Sequence, residues 1–369
     1  MKWLDYPVRW LVGGLFIFSG FVKLVDPRGT EIKLAEYFEV FASDFGSFFH
    51  FFIPAALPIG VFLIILEIVL GVAVLLRYKM VWTSRALAVL IVFFTFLTFY
   101  SAWFNKVTDC GCFGDAIPLT PWQSFGKDVL LTVLIGYLLW RSKHITDALP
   151  AKVSVAVLGT VTLASLFTAV YAIRHLPPID FRPYAVGENI RDNMQPPEQP
   201  IFVYTFEKDG KEIKSERYLP EKEGYKYVGH EITNADRTIP RITDYNIWNE
   251  ETGDYTEQSL QGAKLLLIIY EVKMADKSRM DDIVSLIKGL DEQVEVLALT
   301  ASFGDDFKDF LQEYGLDIPF FYTDATVLKA MIRSSPGIML LQDGTVLGKW
   351  HYNDTPTAAE VKTLLQAKR

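Results

Sequence analysis

The sequence predicts a multi-domain protein: an all-α transmembrane helix bundle, then an α/β soluble domain with a small β-rich segment before it. Three observations carry this expectation. Five long apolar stretches fall in the first half of the 369-residue chain and none in the second. Charge is split unevenly: residues 1–186 hold 15 Lys and Arg against 12 Asp and Glu, whereas residues 187–369 hold 21 against 32. The second half also alternates short strand-like runs with amphipathic helical ones. Half of all residues are hydrophobic, and the length allows two or three domains. The acidic half repels phosphate and no basic stripe offsets it, so nucleic acid is excluded as a partner.

A bilayer core asks for about 20 mostly apolar residues per helix. The stretches are 10–25, 53–76, 86–104, 129–140 and 153–173. Pro54 and Pro58 interrupt the start of the second, and the fourth has room to extend back through Phe125. No small-residue cleavage site follows the first, so it is expected to stay in the membrane rather than act as a signal peptide. Lys2, Arg9, Arg77, Lys79, Arg85, Arg141, Lys143 and Lys152 all fall on one side of this arrangement. Basic residues in short loops mark the cytoplasmic face. The expectation is a multi-pass protein of the cell inner (cytoplasmic) membrane, with a cytoplasmic N-terminus and an extracytoplasmic C-terminal domain. Tyr100, Trp103, Trp122 and Trp140 sit at helix ends, where amphipathic rings favour the headgroup region. The Phe-Phe-His-Phe-Phe run at 48–52 suits a segment lying on the bilayer surface. His50 within it is either a polar interfacial residue or a metal ligand, and no metal site is expected.

Glu67 lies deep in the second stretch, between Leu66 and Ile68. An intramembrane carboxylate is costly unless protonated or paired, which makes it a functional candidate. It is either a proton relay or half of an ion pair or hydrogen bond, with Lys23 or a Ser/Thr as the partner.

The chain has two cysteines, Cys110 and Cys112, in the segment Asp109-Cys110-Gly111-Cys112-Phe113-Gly114 between the third and fourth stretches. Cysteines two apart can approach within disulfide range, and Gly111 relaxes the backbone between them. So small a ring removes little unfolded-state entropy, and a strained disulfide is more reducible. The pair is therefore a redox couple, an inert disulfide, or part of a metal site. Zinc would want four ligands, and only distant histidines are on offer.

Gly13-Gly14, Ser19-Gly20 and Lys23-Leu24-Val25-Asp26-Pro27 resemble the opening of the DoxX superfamily, and Cys-Gly-Cys-Phe-Gly resembles its MauE branch, the membrane proteins of methylamine utilisation. The resemblance covers about residues 5–145. Glu67 and Asp128 fall where that superfamily tends to carry acidic residues. The resemblance implies a four-helix, redox-associated membrane module that supports disulfide handling outside the cytoplasm. Methylamine metabolism follows from the resemblance alone, since no other part of that pathway is in the chain.

Domain boundaries are expected at 1–176 for the membrane part, 177–200 for a proline-bearing linker, 201–239 for a β-rich subdomain and 240–369 for the last domain. In the last, buried strands are expected at 264–270 and 294–300. Helices are expected at 277–289, 305–314 and 326–332, a hairpin at 338–350 and a final helix at 357–367. This order, with a proline directly before the hairpin, resembles the thioredoxin fold. Ser335, Pro336 and Gly337 would form its cis-proline loop. The resemblance breaks where a Cys-x-x-Cys should follow the first buried strand: residues 271–278 contain no cysteine. The domain is then a docking module, through Ser335, Pro336 and Gly337, or else a structural relic or an oligomer interface.

Two functions compete. One is a membrane redox protein in which Cys110 and Cys112 exchange electrons with an extracytoplasmic thiol protein and Glu67 relays a proton, with quinone as a further partner in the lipid bilayer. The other is a non-catalytic assembly subunit with an inert disulfide. The residues name no cofactor and leave open whether the protein is an enzyme.

Overall fold

The computed structural model describes residues 2–107, 111 and 113–367. The chain divides into two compact units, Met1–Arg182 and Pro183–Arg369.

The first unit is helical: α1 (Asp5–Val25), α2 (Pro27–Phe45), a 3-10 helix (Ser47–Ala55), α3 (Ala56–Leu75), α4 (Met80–Phe104), α5 (Pro121–Arg141) and α6 (Ala151–Arg174). Its punctuation is local. Pro27 cannot continue the helix before it, and the Asp26 carboxylate accepts the Gly29 N–H, so α1 stops and α2 starts there. Thr120 and Gln123 cap α5 reciprocally, with Pro121 at its first position. Val12, Phe16, Val74, Leu87, Ile91, Leu131, Ile135 and Leu138 form the bundle core.

Helices α1 and α3 cross backbone to backbone. A Cβ placed on Gly13 would lie 2.9 Å from the Gly71 carbonyl oxygen, and one on Gly71 the same distance from that of Gly13. In hydrocarbon, where apolar burial does not drive association, such small-residue contacts hold helices together.

Among the described residues, four helical segments are long and apolar enough to cross a membrane: Asp5–Val25, Ser47–Leu75, Met80–Phe104 and Ala151–Arg174. This departs from the five expected. The fourth expected stretch is α5, a helix of 21 residues, about 30 Å long, but Lys127, Asp128 and Arg141 lower its apolar character. Two further features concern the segments between the apolar helices. Between the first two expected stretches the chain forms α2, with Leu34, Tyr37 and Phe41 buried on one face. Of the helix-end aromatics, Trp103, Trp122 and Trp140 are exposed, whereas Tyr100 is buried and donates to Asp44. The 48–52 run lies in the 3-10 helix with Phe48 and Phe51 exposed.

The second unit opens with residues that lie against its own sheet. The helical turn α7 (Ile190–Asn193) follows a stretch in which Gly187 N–H donates to Val346 O at 2.8 Å and Ile190 N–H to Gly344 O at 2.9 Å. Tyr184 and Ile190 are fully buried, so the expected linker over 177–200 is in part packed structure. Strands β1 (Phe202–Lys208), β2 (Lys211–Ser215) and β3 (Lys226–Ile232) form an antiparallel sheet of order β2-β1-β3.

The larger sheet holds β4 (Trp248–Asn249), β5 (Gly253–Asp254), β6 (Ala263–Ile269), β7 (Glu295–Thr300), β8 (Phe320–Tyr322), β9 (Gly337–Gln342) and β10 (Thr345–His351). Its order is β10-β9-β6-β7-β8-β4-β5, with β6, β7 and β8 parallel and β9 antiparallel to β6. Between strands run a short α8 (Thr256–Ser259), then α9 (Met280–Lys288), α10 (Asp305–Glu313) and α11 (Ala325–Met331), and α12 (Ala358–Ala367) closes the chain. This is the thioredoxin-like order, with β4 and β5 added at one edge and β8 extending the parallel set. Leu265, Leu267 and Ile269 of β6 alternate into a core with Ile283, Leu286, Phe307, Phe310 and Val361, as period-two strands require.

Candidate functional site

Cys110 and Cys112 lie outside the described residues; Gly111 and Phe113 do not. Gly111 has φ +60, the left-handed region that favours glycine, with the Lys33 side chain of α2 beside it. Phe113 is buried, packs on Phe18 at 5.4 Å between ring centroids and enters the lining of a cavity in the helical unit.

Glu67 belongs to that cavity. It is 2% exposed. Its Oε1 is 2.5 Å from Lys23 Nζ, and its Oε2 accepts from Ser19 Oγ at 3.0 Å. Ser19 and Lys23 are one helical turn apart on α1 and so share a face. A Cβ on Gly20 would fall 3.3 Å from Glu67 Cβ and within 2.5 Å of Ile68 Cγ1. The bare backbone at Gly20 thus brings α1 close enough for Ser19 and Lys23 to reach the carboxylate. The two expected partners, Lys23 and a serine, are both present. Lys23 also lies over the Phe94 ring at 5.0 Å.

Asp128 faces the same space and is 1% exposed. Lys127 Nζ is 2.5 Å from its Oδ1, and Thr98 Oγ1 of α4 donates to its Oδ2 at 3.0 Å. Lys127 lies over the Phe113 ring at 5.2 Å. Leu15, Phe16, Ile91, Phe94 and Leu131 supply the apolar walls, and the enclosed volume is about 20 Å³. That is room for one water molecule, which needs two to four polar partners. Lys127 and the Thr98 contact are additions to the residues singled out in the sequence. Lys127 adjoins Asp128, so a buried charge next to a family acidic position was the available signal. Thr98 arrives only through the fold.

His50 is exposed on the 3-10 helix, and among the described residues no cluster of three metal-ligating side chains occurs.

In the second unit the Ser335–Pro336 peptide is cis. The segment facing it, where a thioredoxin would carry its cysteines, forms a 3-10 turn at Val272–Met274. Asp276 ties the two together. Its N–H donates to Ser335 O at 3.0 Å, its Oδ1 accepts the Ser278 N–H at 2.9 Å, and its Oδ2 accepts the Tyr352 hydroxyl at 2.9 Å. The Ser278 hydrogen bonds hold the Asp276 carboxyl below the ordinary aspartate range. Gly337 opens β9 with no room for a side chain: a Cβ there would lie 2.7 Å from Ser334 O. The helix expected to begin at Lys277 begins at Met280. Lys277 instead pairs with Glu313 at 2.9 Å. Met274, two residues before Asp276, is exposed.

Residues 1–141 match the family model described as methylamine utilisation protein MauE. Over 172 residues the chain is 28% identical to protein TlpB of Flavobacterium psychrophilum, a match covering 45% of this chain and 44% of that protein. The chain thus matches less than half the length of that relative. With the topology above, the protein is a membrane protein in which a MauE-like helical domain is joined to a thioredoxin-like domain.

Proposed function

We propose that the protein supports thiol–disulfide exchange outside the cytoplasm. Cys110 and Cys112 are the redox pair, and Glu67 relays a proton between them and a quinone-class acceptor in the bilayer. The observation that carries this reading is the position of Phe113. It directly follows Cys112 in the sequence and lines the same small cavity as Glu67, so the residue after the cysteine pair and an intramembrane carboxylate border one space. A carboxylate in hydrocarbon has a default functional reading. A two-electron thiol oxidation inside a membrane also calls for an acceptor that dissolves there.

In this reading α1, α3, α4, α5 and α6 cross the inner membrane. The N-terminus is cytoplasmic, and the thioredoxin-like domain is outside. The charged groups of α5 support its crossing, because Lys127 and Asp128 pair within the bundle rather than facing lipid. The soluble domain has no cysteine and acts by docking an extracytoplasmic thiol protein at Ser335, Pro336 and Gly337, with Met274 as an exposed apolar contact beside them.

One observation favours the competing scaffold reading for that domain: Asp276 already occupies one lone pair of the Ser335 carbonyl, which an incoming extended peptide would use.

Thiol trapping in intact cells tests the proposal, with one membrane-permeant and one impermeant reagent. The expected result is a mixture of oxidised and reduced Cys110 and Cys112, accessible to the impermeant reagent and shifting with added reductant. A single oxidised form that no reductant moves in living cells would leave an inert staple and sink the redox reading.

A further inference from the structure

The cavity in the helical unit is built twice over. Glu67 accepts hydrogen bonds from Lys23 and Ser19, and Asp128 accepts them from Lys127 and Thr98. Each lysine also rests on an aromatic ring, Phe94 for one and Phe113 for the other. The second half continues along α5. Ser124 lies one turn before Asp128, on the same face of α5 and nearer the loop that ends in Thr120. Its hydroxyl is fully buried and has no hydrogen-bond partner. A buried hydroxyl without a partner is uncommon and marks a place for water or a mobile proton.

We propose that Asp128, held by Lys127 and extended by Ser124, is a second proton station of this cavity, so that the bundle carries both protons released when a dithiol becomes a disulfide. The proposal rests on the redox reading of Cys110 and Cys112 given above. In the oxidising direction two S–H bonds break, one S–S bond forms, and two electrons and two protons leave. The quinone-class acceptor takes both electrons, and its two carbonyl oxygens take both protons to give the hydroquinone. A carboxylate carries one proton at a time. Two carboxylates on one cavity match the two protons of the reaction, and a single water between them lets either station serve the other. Each resting carboxylate is neutralised by its own lysine. Proton transfer paired with electron transfer to the acceptor therefore leaves no net charge stranded in the bilayer, which would be costly.

The test uses the full chain in lipid vesicles. The protein is reduced and then reoxidised with a short-chain benzoquinone, and thiol loss is followed in time. The folded fraction of each variant is measured alongside. In the expected result Asp128→Asn slows reoxidation by about a hundredfold, and Asp128→Glu retains it. Ser124→Ala breaks no hydrogen bond made within the protein, so it is expected to fold, and it slows reoxidation several-fold. It therefore keeps the test decisive if Asp128→Asn fails to fold.

Unchanged rates in folded Asp128→Asn and Ser124→Ala overturn this proposal alone. A folded Asp128→Glu as slow as Asp128→Asn also overturns it, because a proton station is restored by another carboxylate. Failure of the unmodified protein to reoxidise with quinone overturns the redox reading, and this proposal with it.

Discussion

Each unit has a carboxylate cluster at the place where its fold would put chemistry, and the two clusters differ in what they leave open. In the helical unit Glu67 and Asp128 line one cavity with room for a single water. In the thioredoxin-like unit Asp276 is committed in three directions, to Ser335, Ser278 and Tyr352, and bridges the groove where cysteines would act. All three carboxylates accept two hydrogen bonds from within the protein. Those of Glu67 and Asp128 also border a small void, which keeps capacity for a transient partner. In the reading proposed above the chemistry lies in the helical unit, whereas Asp276 ties down the cis-proline loop of the domain whose fold is usually the chemical one.

The largest effect that would break this comparison comes from the cysteines. Cys110→Ser and Cys112→Ser are each expected to abolish thiol exchange while membrane insertion, checked by extraction and protease protection, stays intact. One of the two single variants is expected to accumulate a mixed disulfide with its partner, visible as a reductant-sensitive band. Full exchange in the double variant would return the membrane unit to the same structural status as the soluble one.

Next is the Glu67 pair. Lys23→Met leaves a buried carboxylate without its cation and is expected to cost about 3–5 kcal/mol, measured as lost thermal stability in detergent. Glu67→Gln keeps a hydrogen-bond acceptor for Ser19 but orphans Lys23. The double variant should recover part of the loss, because neither charge is then left alone. If Glu67 also relays a proton, the double variant regains stability without regaining activity per folded molecule. Recovery of both together would make the pair purely structural.

A smaller effect is expected at the helix crossing that assembles the site. Gly71→Ala puts a methyl group 2.9 Å from the Gly13 carbonyl oxygen, and overpacking of this kind costs about 1–3 kcal/mol. Because α1 also carries Ser19 and Lys23, activity should fall along with thermal stability. A loss of stability alone would separate the crossing from the site.

Asp276 gives the smallest effect. Tyr352→Phe removes one hydrogen bond and is expected to cost about 1 kcal/mol. The carboxyl of Asp276 is held below its ordinary value by Ser278. Its contribution to stability is therefore present above the unfolded aspartate value, near pH 4, and is lost as pH falls through the lowered one. Asp276→Asn should flatten the acid limb of the stability curve and leave the curve at neutral pH nearly parallel to that of the unmodified protein, as denaturation of the full chain at several pH values would show.

How much was legible in the sequence follows from how local each signal is. The apolar stretches, the cis-proline loop and the strand–helix order of 264–367 are patterns along the chain, and the structure contains them. Helix α2 was hidden because Glu31, Lys33, Glu36 and Glu39 make it too polar for a span. The spacing of Leu34, Tyr37 and Phe41 was the helical signal that remained. Lys23 was within reach as a partner for Glu67, since both lie in apolar stretches where a lone charge is expensive. The meeting of Thr98 with Asp128, and the entry of Phe113 into the cavity that both carboxylates line, depend on how three helices and a loop pack. No spacing within one segment encodes that. Strands β4 and β5 escaped notice because two residues are too few for an alternation to register.

The stretch that leads into the second unit has one further consequence. Residues 187–190 bond to the start of β10 and the turn before it, through Gly187 to Val346 and Ile190 to Gly344, with Asn189 bridging to Thr345. At the opposite end the sheet finishes in β5, only two residues long. A bare strand edge is a template for pairing with a second chain. This sheet has the start of one margin covered by its own chain and another margin too short to copy, so it offers a second chain less edge to pair with than a bare β10 would.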